Sequence, residues 1–260
     1  MKQKKNLATY NKKFEENSYE GIKEAILQKA IVLLPIGQTE EHGRHLPVKT
    51  DAFIAEKICE KISEISPVPT IVMPTIYYGY STKEVTKWPG CPGIKIETFI
   101  SCIYDICFSL VGMGFKKIVI VSCHGNHTGA LRVVVRKIAD DCGIYMTLTI
   151  PNTIAKEKID KILEKGWRGS CHGCEYETSL MLYLDEKSVD MKKATDIDIL
   201  KINSEFYPGK VFISTWGLQK SKTGIFGAPV VASKEKGEKI FNSIIEEYIK
   251  FLKELSKWKI

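Results

Sequence analysis

The chain lacks an uninterrupted apolar run of about 18 residues, the length a transmembrane helix needs. Met1 to Lys13 is polar and basic with no apolar stretch behind it, so no secretory signal is expected. Internal repeats and low-complexity segments are absent. No glycine loop of the phosphate-cradling kind is present, and neither is the HExxH of helical zinc proteases. The one CxxC, Cys171 to Cys174, has no second pair with zinc-knuckle spacing. The eight cysteines form no disulfide framework in a chain of this length without a signal, so a reduced, cytoplasmic protein is expected. The net charge of +7 is dispersed, with lysines interleaved with glutamates, so solvated helix faces rather than a nucleic-acid surface are expected.

Histidine is also scarce, and its distribution is informative. All five imidazoles fall in three short segments. These are Glu40-Glu41-His42-Gly43-Arg44-His45, His124-Gly125-Asn126-His127 and His172-Gly173-Cys174-Glu175-Tyr176-Glu177. Imidazole nitrogen and carboxylate oxygen are the donors of Zn, Mn and Fe sites, so their segregation points to a metal-dependent enzyme.

Apolar runs alternate with helical stretches, predicting an α/β/α sandwich around a mainly parallel sheet. Ala30–Ile36, Thr70–Tyr78, Lys117–Val121 and Tyr145–Ile150 read as strands. Asp51–Ile65, Ile96–Met113, Gly129–Asp140 and Lys234–Lys257 read as helices. Glu175–Leu184 fits either helix or strand. Residues 186–233, with Pro208, Gly209, Gly224, Gly227 and Pro229, read as loops. Residues 1–260 form one domain in this reading, with a core over about 20–250 and peripheral terminal helices.

In an open α/β sheet, ligands bind beyond the carboxyl ends of the strands. Glu40 and His42 follow one strand and His124 follows another, so both strands deliver donors to one rim. Glu40 and His42 project to the same face of extended backbone. Asp51, with two oxygens, is a candidate shared ligand. This set is too large for one tetrahedral ion but suits two ions about 3.5–4 Å apart, which can polarise a carbonyl and activate water near neutral pH. His45 and His127 are assigned to supporting positions rather than direct ligation.

Together the segments resemble the creatininase family of metal-dependent amidohydrolases. That family's Glu-Gln/His-His-Gly-Pro-His-Leu-Pro and Thr-Asp stand here as Glu40 to Pro47 and Thr50-Asp51. Its Asn-Gly-His-Gly-Gly-Asn stands as Ser122 to His127, and its His-Ala-Gly-Glu-x-Glu-Thr-Ser as His172 to Ser179. Weaker elements are Tyr78-Gly79-Tyr80-Ser81, Trp88-Pro89-Gly90, Gly224 to Pro229 and Glu235-Lys236-Gly237. The resemblance covers roughly residues 20–250.

It implies two divalent ions (Zn, Mn or Fe), one held by Glu40, Asp51 and His124 and the other by His42, Asp51 and Glu175. It makes His172 the general acid/base, with Glu177 orienting His172 or a water, or bonded to backbone. Ser81, Asn126 and Trp167 become substrate-binding positions. The implied reaction is hydrolysis of a non-peptide C–N bond in a cyclic amide, formamide or related small molecule. Neither nucleic acid nor membrane is an expected partner, and a homo-oligomer, hexameric by resemblance, is expected.

Departures bear on the substrate. Asn126 stands where creatinine-hydrolysing members place a Glu, and Glu175 stands where they lack a carboxylate. Arg44 replaces a proline, Ser122-Cys123 replaces Asn-Gly, His127 replaces an Asn, and Trp167 lies one position from a pocket tryptophan. Alternatives within the family are creatinine hydrolysis, deformylation of a formamidopyrimidine, ring opening of a keto-inositol and cleavage of a modified peptide. Rivals of other classes are a non-catalytic metal-binding protein and a sugar- or nucleotide-binding module.

Overall fold

A computed structural model describes residues 10–197, 211–214, 218 and 220–259; the side chains of residues 167 and 168 fall outside the description. In chain order the first elements are α1 (Tyr19–Leu27), β1 (Ile31–Ile36), α2 (Thr50–Ile65), β2 (Thr70–Val72) and α3 (Lys83–Thr86). Next come α4 (Ile96–Met113), β3 (Lys117–Ser122), α5 (Thr128–Cys142) and β4 (Tyr145–Thr149). The remainder are α6 (Pro151–Ile154), α7 (Lys156–Ile162), α8 (Glu175–Asp185) and α9 (Lys234–Lys257).

The four strands form one parallel sheet in the order β2-β1-β3-β4. Every residue of β1 is buried, as a strand covered on both faces requires. Its side chains alternate between two cores. Ile31 and Leu33 pack with Val119 and Val121 against α2, α8 and α9. Val32, Leu34 and Ile36 pack with Ile118 and Ile120 against α1, α4 and α5. The expected three-layer α/β arrangement is therefore present.

Two elements differ from the sequence expectation or resolve it. The second strand stops at Val72, because Pro74 follows and has no N–H for the ladder. The chain then pairs once more, with Ile76 donating to Pro35 O at 3.0 Å and Gly37 donating to Ile76 O at 3.0 Å. The ambiguous Glu175–Leu184 segment is helix α8. Every residue from Glu175 to Leu182 is buried, so this helix shows little amphipathic period.

By length and composition α4 is the one described helix that could cross a membrane. It carries Glu97 and Asp105, and it lays Phe99, Ile103, Cys107 and Leu110 against the sheet. Helix α9 buries Ile240, Ile244, Tyr248 and Leu252, while Lys250 pairs with Glu246 and Glu247 on its outer side. All eight cysteines are free. Pro208 and Gly209, read as loop markers, lie outside the described residues.

Candidate metal centre

Two strand ends and two helix starts meet at the site. The turn leaving β1 passes so close to α2 that a Cβ on Gly37 would lie 2.2 Å from the Ala52 backbone. Only glycine permits this approach. It sets Asp51, in the first turn of α2, beside the loop that carries Glu40 and His42. A carboxylate at a helix N-terminus also gains from the helix dipole. That loop is closed by Glu40 N–H on Val48 O (3.1 Å) and by Thr39 N–H on Tyr77 O (2.8 Å). His124 arrives directly from β3.

Asp51 is the centre of the arrangement. Its Oδ1 lies 2.9 Å from His42 Nε2 and its Oδ2 lies 2.8 Å from His124 Nδ1. Glu40 Oε1 is 3.3 Å from His124 Nδ1, and Glu177 Oε2 is 3.9 Å from His42 Nε2. Two donor trios with all atoms within 4.8 Å result: Glu40, Asp51 and His124, and His42, Asp51 and Glu177. A third trio joins Glu40, His42 and His172. All six residues are buried.

The donor set fits divalent cations. Among the described residues no lysine or arginine pairs with Glu40, Asp51 or Glu177; their ion-pair partners are imidazoles. Glu40 Oε1 and His124 Nε2 are buried with no hydrogen bond. Burying three carboxylates without such compensation is costly, and cations supply it.

The acid–base properties follow from this crowding. Burial alone would lower the pKa of His42, but the charge and hydrogen bond of Asp51 lift it well above the usual value. Burial likewise opposes protonation of His124, and Glu40 and Asp51 overcome it. Asp51 resists its own desolvation through His42 and His124, which hold it ionised well below the usual range. Burial raises Glu177. The supporting His45 is pushed down to about 4, by burial and then by His42 and His172.

His172 sits against the cluster with its ring 4.4 Å from that of His42. Its Nδ1 is 3.5 Å from Glu40 Oε1 and its Nε2 is 3.4 Å from Glu41 Oε1. Burial and His42 press its pKa down, while Glu41, Glu40 and Glu177 bring it above the usual value. Ser81 donates to Glu40 Oε2 at 2.7 Å. Asn126 lines a cavity of about 60 Å³ with Glu40, Asp51, His124, His172 and Glu177. Trp167 is in the chain segment nearby, but its side chain is outside the described residues.

His45 Nε2 is 2.8 Å from Thr178 Oγ1, tying the first loop to α8. The His127 ring packs on Phe99 at a tilt of 32° and meets the His124 ring edge-on.

Glu175, expected as a metal ligand, requires a correction. Its carboxylate accepts from the backbone of Glu164 and Lys165 and from Lys236, away from all three donor trios. Residues 175 and 177 lie two apart on a helix and so face different sides. The carboxylate that reaches His42 is Glu177, which also closes the helix start by accepting from Gly173 N–H at 2.7 Å. Glu41 was not assigned from sequence; its only signal there was a second acid in the Glu40-Glu41 pair.

A family profile described as "Creatininase: Creatinine amidohydrolase" matches residues 15–252. The chain belongs to the creatininase family. It is a hydrolase of the class acting on carbon–nitrogen bonds. Creatinine amidohydrolase of Pseudomonas putida is 24% identical over 233 residues, covering 83% of this chain and 86% of that protein. A mycofactocin precursor peptide peptidase of Mycolicibacterium smegmatis is 26% identical over 225 residues, covering 83% and 81%. A solved mutant creatininase described as Zn-Zn type superposes with a TM-score of 0.79 at 22% identity, covering 95% of this chain and 98% of the other, and so shares the fold.

Proposed function

We propose that this creatininase-family chain hydrolyses a non-peptide C–N bond in a small cyclic amide, formamide or related molecule at a dinuclear metal centre. Glu40, Asp51 and His124 hold one ion, and His42, Asp51 and Glu177 hold the other. The observation that carries this reading is Asp51, whose two oxygens each face a different imidazole at 2.9 and 2.8 Å. Oxygen and imidazole donors of this kind suit Zn, Mn and Fe. When bound, two such ions polarise a carbonyl and bring the pKa of water near neutrality.

The remaining chemistry belongs to the side chains. A departing amine needs a proton, and in this reading His172 supplies it. Its ring borders the cavity, and Glu40 and Glu41 hold it toward the protonated form. Imidazole carries protons efficiently near neutral pH. Ser81 fixes the Glu40 oxygen that His124 and His172 leave free. Asn126, on the cavity wall, offers amide donors and an acceptor for a polar substrate.

Asn126 also favours a substrate other than creatinine, since it carries no charge where creatinine-hydrolysing members have a Glu. Glu175, paired with Lys236 and two backbone amides, lends that preference no support. A homo-oligomer, hexameric by resemblance, and a cytoplasmic location belong to the same proposal.

The test is metal analysis of the purified chain with an amine- and ammonia-release screen over cyclic amides and formamides. Two ions per chain and chelator-sensitive release are expected. A chain that binds no divalent ion and turns over no amide contradicts the reading.

A further inference from the structure

Glu175 is fully buried at the first position of α8, yet it lies outside the metal cluster. Its Oε1 accepts from Glu164 N–H at 3.0 Å and from Lys236 Nζ at 2.7 Å. Its Oε2 accepts from Lys165 N–H at 3.2 Å. A Cβ on Gly169 would lie 2.8 Å from that same oxygen, so the loop is wrapped closely around the carboxylate. Lys236 also reaches the Glu164 carboxylate at 2.5 Å and donates to Val231 O at 2.6 Å.

These contacts join three parts of the fold: the loop of residues 163–173, the start of α8 and the start of α9. That loop ends at His172. From there the chain is held by the exchanged backbone hydrogen bonds of His172 with Phe226 (3.0 and 2.9 Å) and by Glu177 on Gly173 N–H. The far end of the loop is therefore anchored beside the cluster, and Glu175 anchors the near end.

Local preference does not account for Lys236. It occupies the first turn of α9, where the helix dipole disfavours a cation. Nor does exposure account for Glu175. A buried carboxylate is tolerated when paired and hydrogen-bonded, and losing one partner leaves the others uncompensated.

We propose that Glu175 is a positioning residue: its buried pair with Lys236 fixes the 163–172 loop and thereby the His172 imidazole against the metal cluster. The functional consequence rests on His172 carrying the proton; the positioning itself does not.

The test uses the full chain loaded with Zn²⁺ and three variants, Glu175→Gln, Lys236→Met and Lys236→Arg. Metal content, hydrogen–deuterium exchange and ¹⁵N-imidazole NMR are read together. Glu175→Gln and Lys236→Met should keep both ions. Exchange over residues 163–172 should rise at least about tenfold, the scale of a lost charge-assisted hydrogen bond. The His172 resonance should shift or broaden while those of His42 and His124 stay in place. Lys236→Arg, which keeps the pair, should match the parent chain.

Loss of an ion in Glu175→Gln would make that residue a ligand and overturn the proposal. Unchanged loop exchange with an unchanged His172 signal in both disruptive variants would overturn it equally. Should Glu175→Gln not fold, Lys236→Met decides by the same readouts, since it leaves the carboxylate's two backbone hydrogen bonds in place. A parent chain that hydrolyses no amide would refute the hydrolase reading, while exchange and NMR would still decide the positioning.

Discussion

Glu175 and Glu177 stand two residues apart on the first turn of α8, and both are buried. Glu177 turns toward His42 and shares its side of the helix with the metal donors. Glu175 turns toward Lys236 and two backbone amides of a loop. One carboxylate faces imidazoles and the other faces an ammonium. Residue type and burial are the same for the two; the sign and nature of the facing partners separate a candidate ligand from a strut. A carboxylate whose charge is already balanced by lysine has little left for a cation.

The largest effect is expected at Asp51, the residue common to two of the donor trios. Asp51→Asn keeps the shape but removes the charge that draws His42 and His124 together. Metal content should drop toward zero and turnover should fall well beyond the 10–100-fold typical of outer partners, roughly 10³-fold or more. Plasma emission spectrometry of the dialysed variant checks this. Retention of both ions would remove Asp51 from the ligand set.

His172→Ala should keep both ions and lose about 10²–10⁴-fold in kcat, the range of general acid–base catalysis. An active variant would remove the proton carrier from the account. A smaller change is expected from Ser81→Ala, which frees one Glu40 oxygen. Its metal affinity should weaken by about 10–100-fold, as read by competition with a chromophoric chelator.

Metal loading should also depend on pH, with a sign fixed by the cluster. In the metal-free chain Asp51 lifts His42 above 6.5, and Glu40 and Asp51 do the same for His124. Protons therefore compete with metal above the pH at which free imidazole would have released them. Apparent affinity should fall as pH falls, with the transition displaced above 6.5 and protons released on binding. Calorimetry in two buffers of different ionisation enthalpy measures that release. A pH-independent affinity would show that these imidazoles are not the ligands.

Much of the fold was legible because its pattern is local. The continuous apolar runs that became β1 and β3 and the spacing of α2, α5 and α9 need no distant partner to be read. The meeting of Glu40, His42, Asp51 and His124 at one rim was legible for the same reason, as each follows a readable strand or opens a readable helix. Helix α8 was not, because burial on all sides erased its period. Without its orientation, two acids at 175 and 177 could not be told apart. Lys236, whose charge decides the matter, lies 61 residues from Glu175 in the chain. Likewise β2 ended early, at Val72 ahead of Pro74, and Glu41 gained meaning only when His172 came within 3.4 Å.

Metal stoichiometry of Glu177→Gln beside Glu175→Gln, after identical loading with Zn²⁺ and gel filtration, separates the ligand from the strut. One ion per chain is expected in Glu177→Gln and two in Glu175→Gln. Two ions in the former and one in the latter would reverse the two roles.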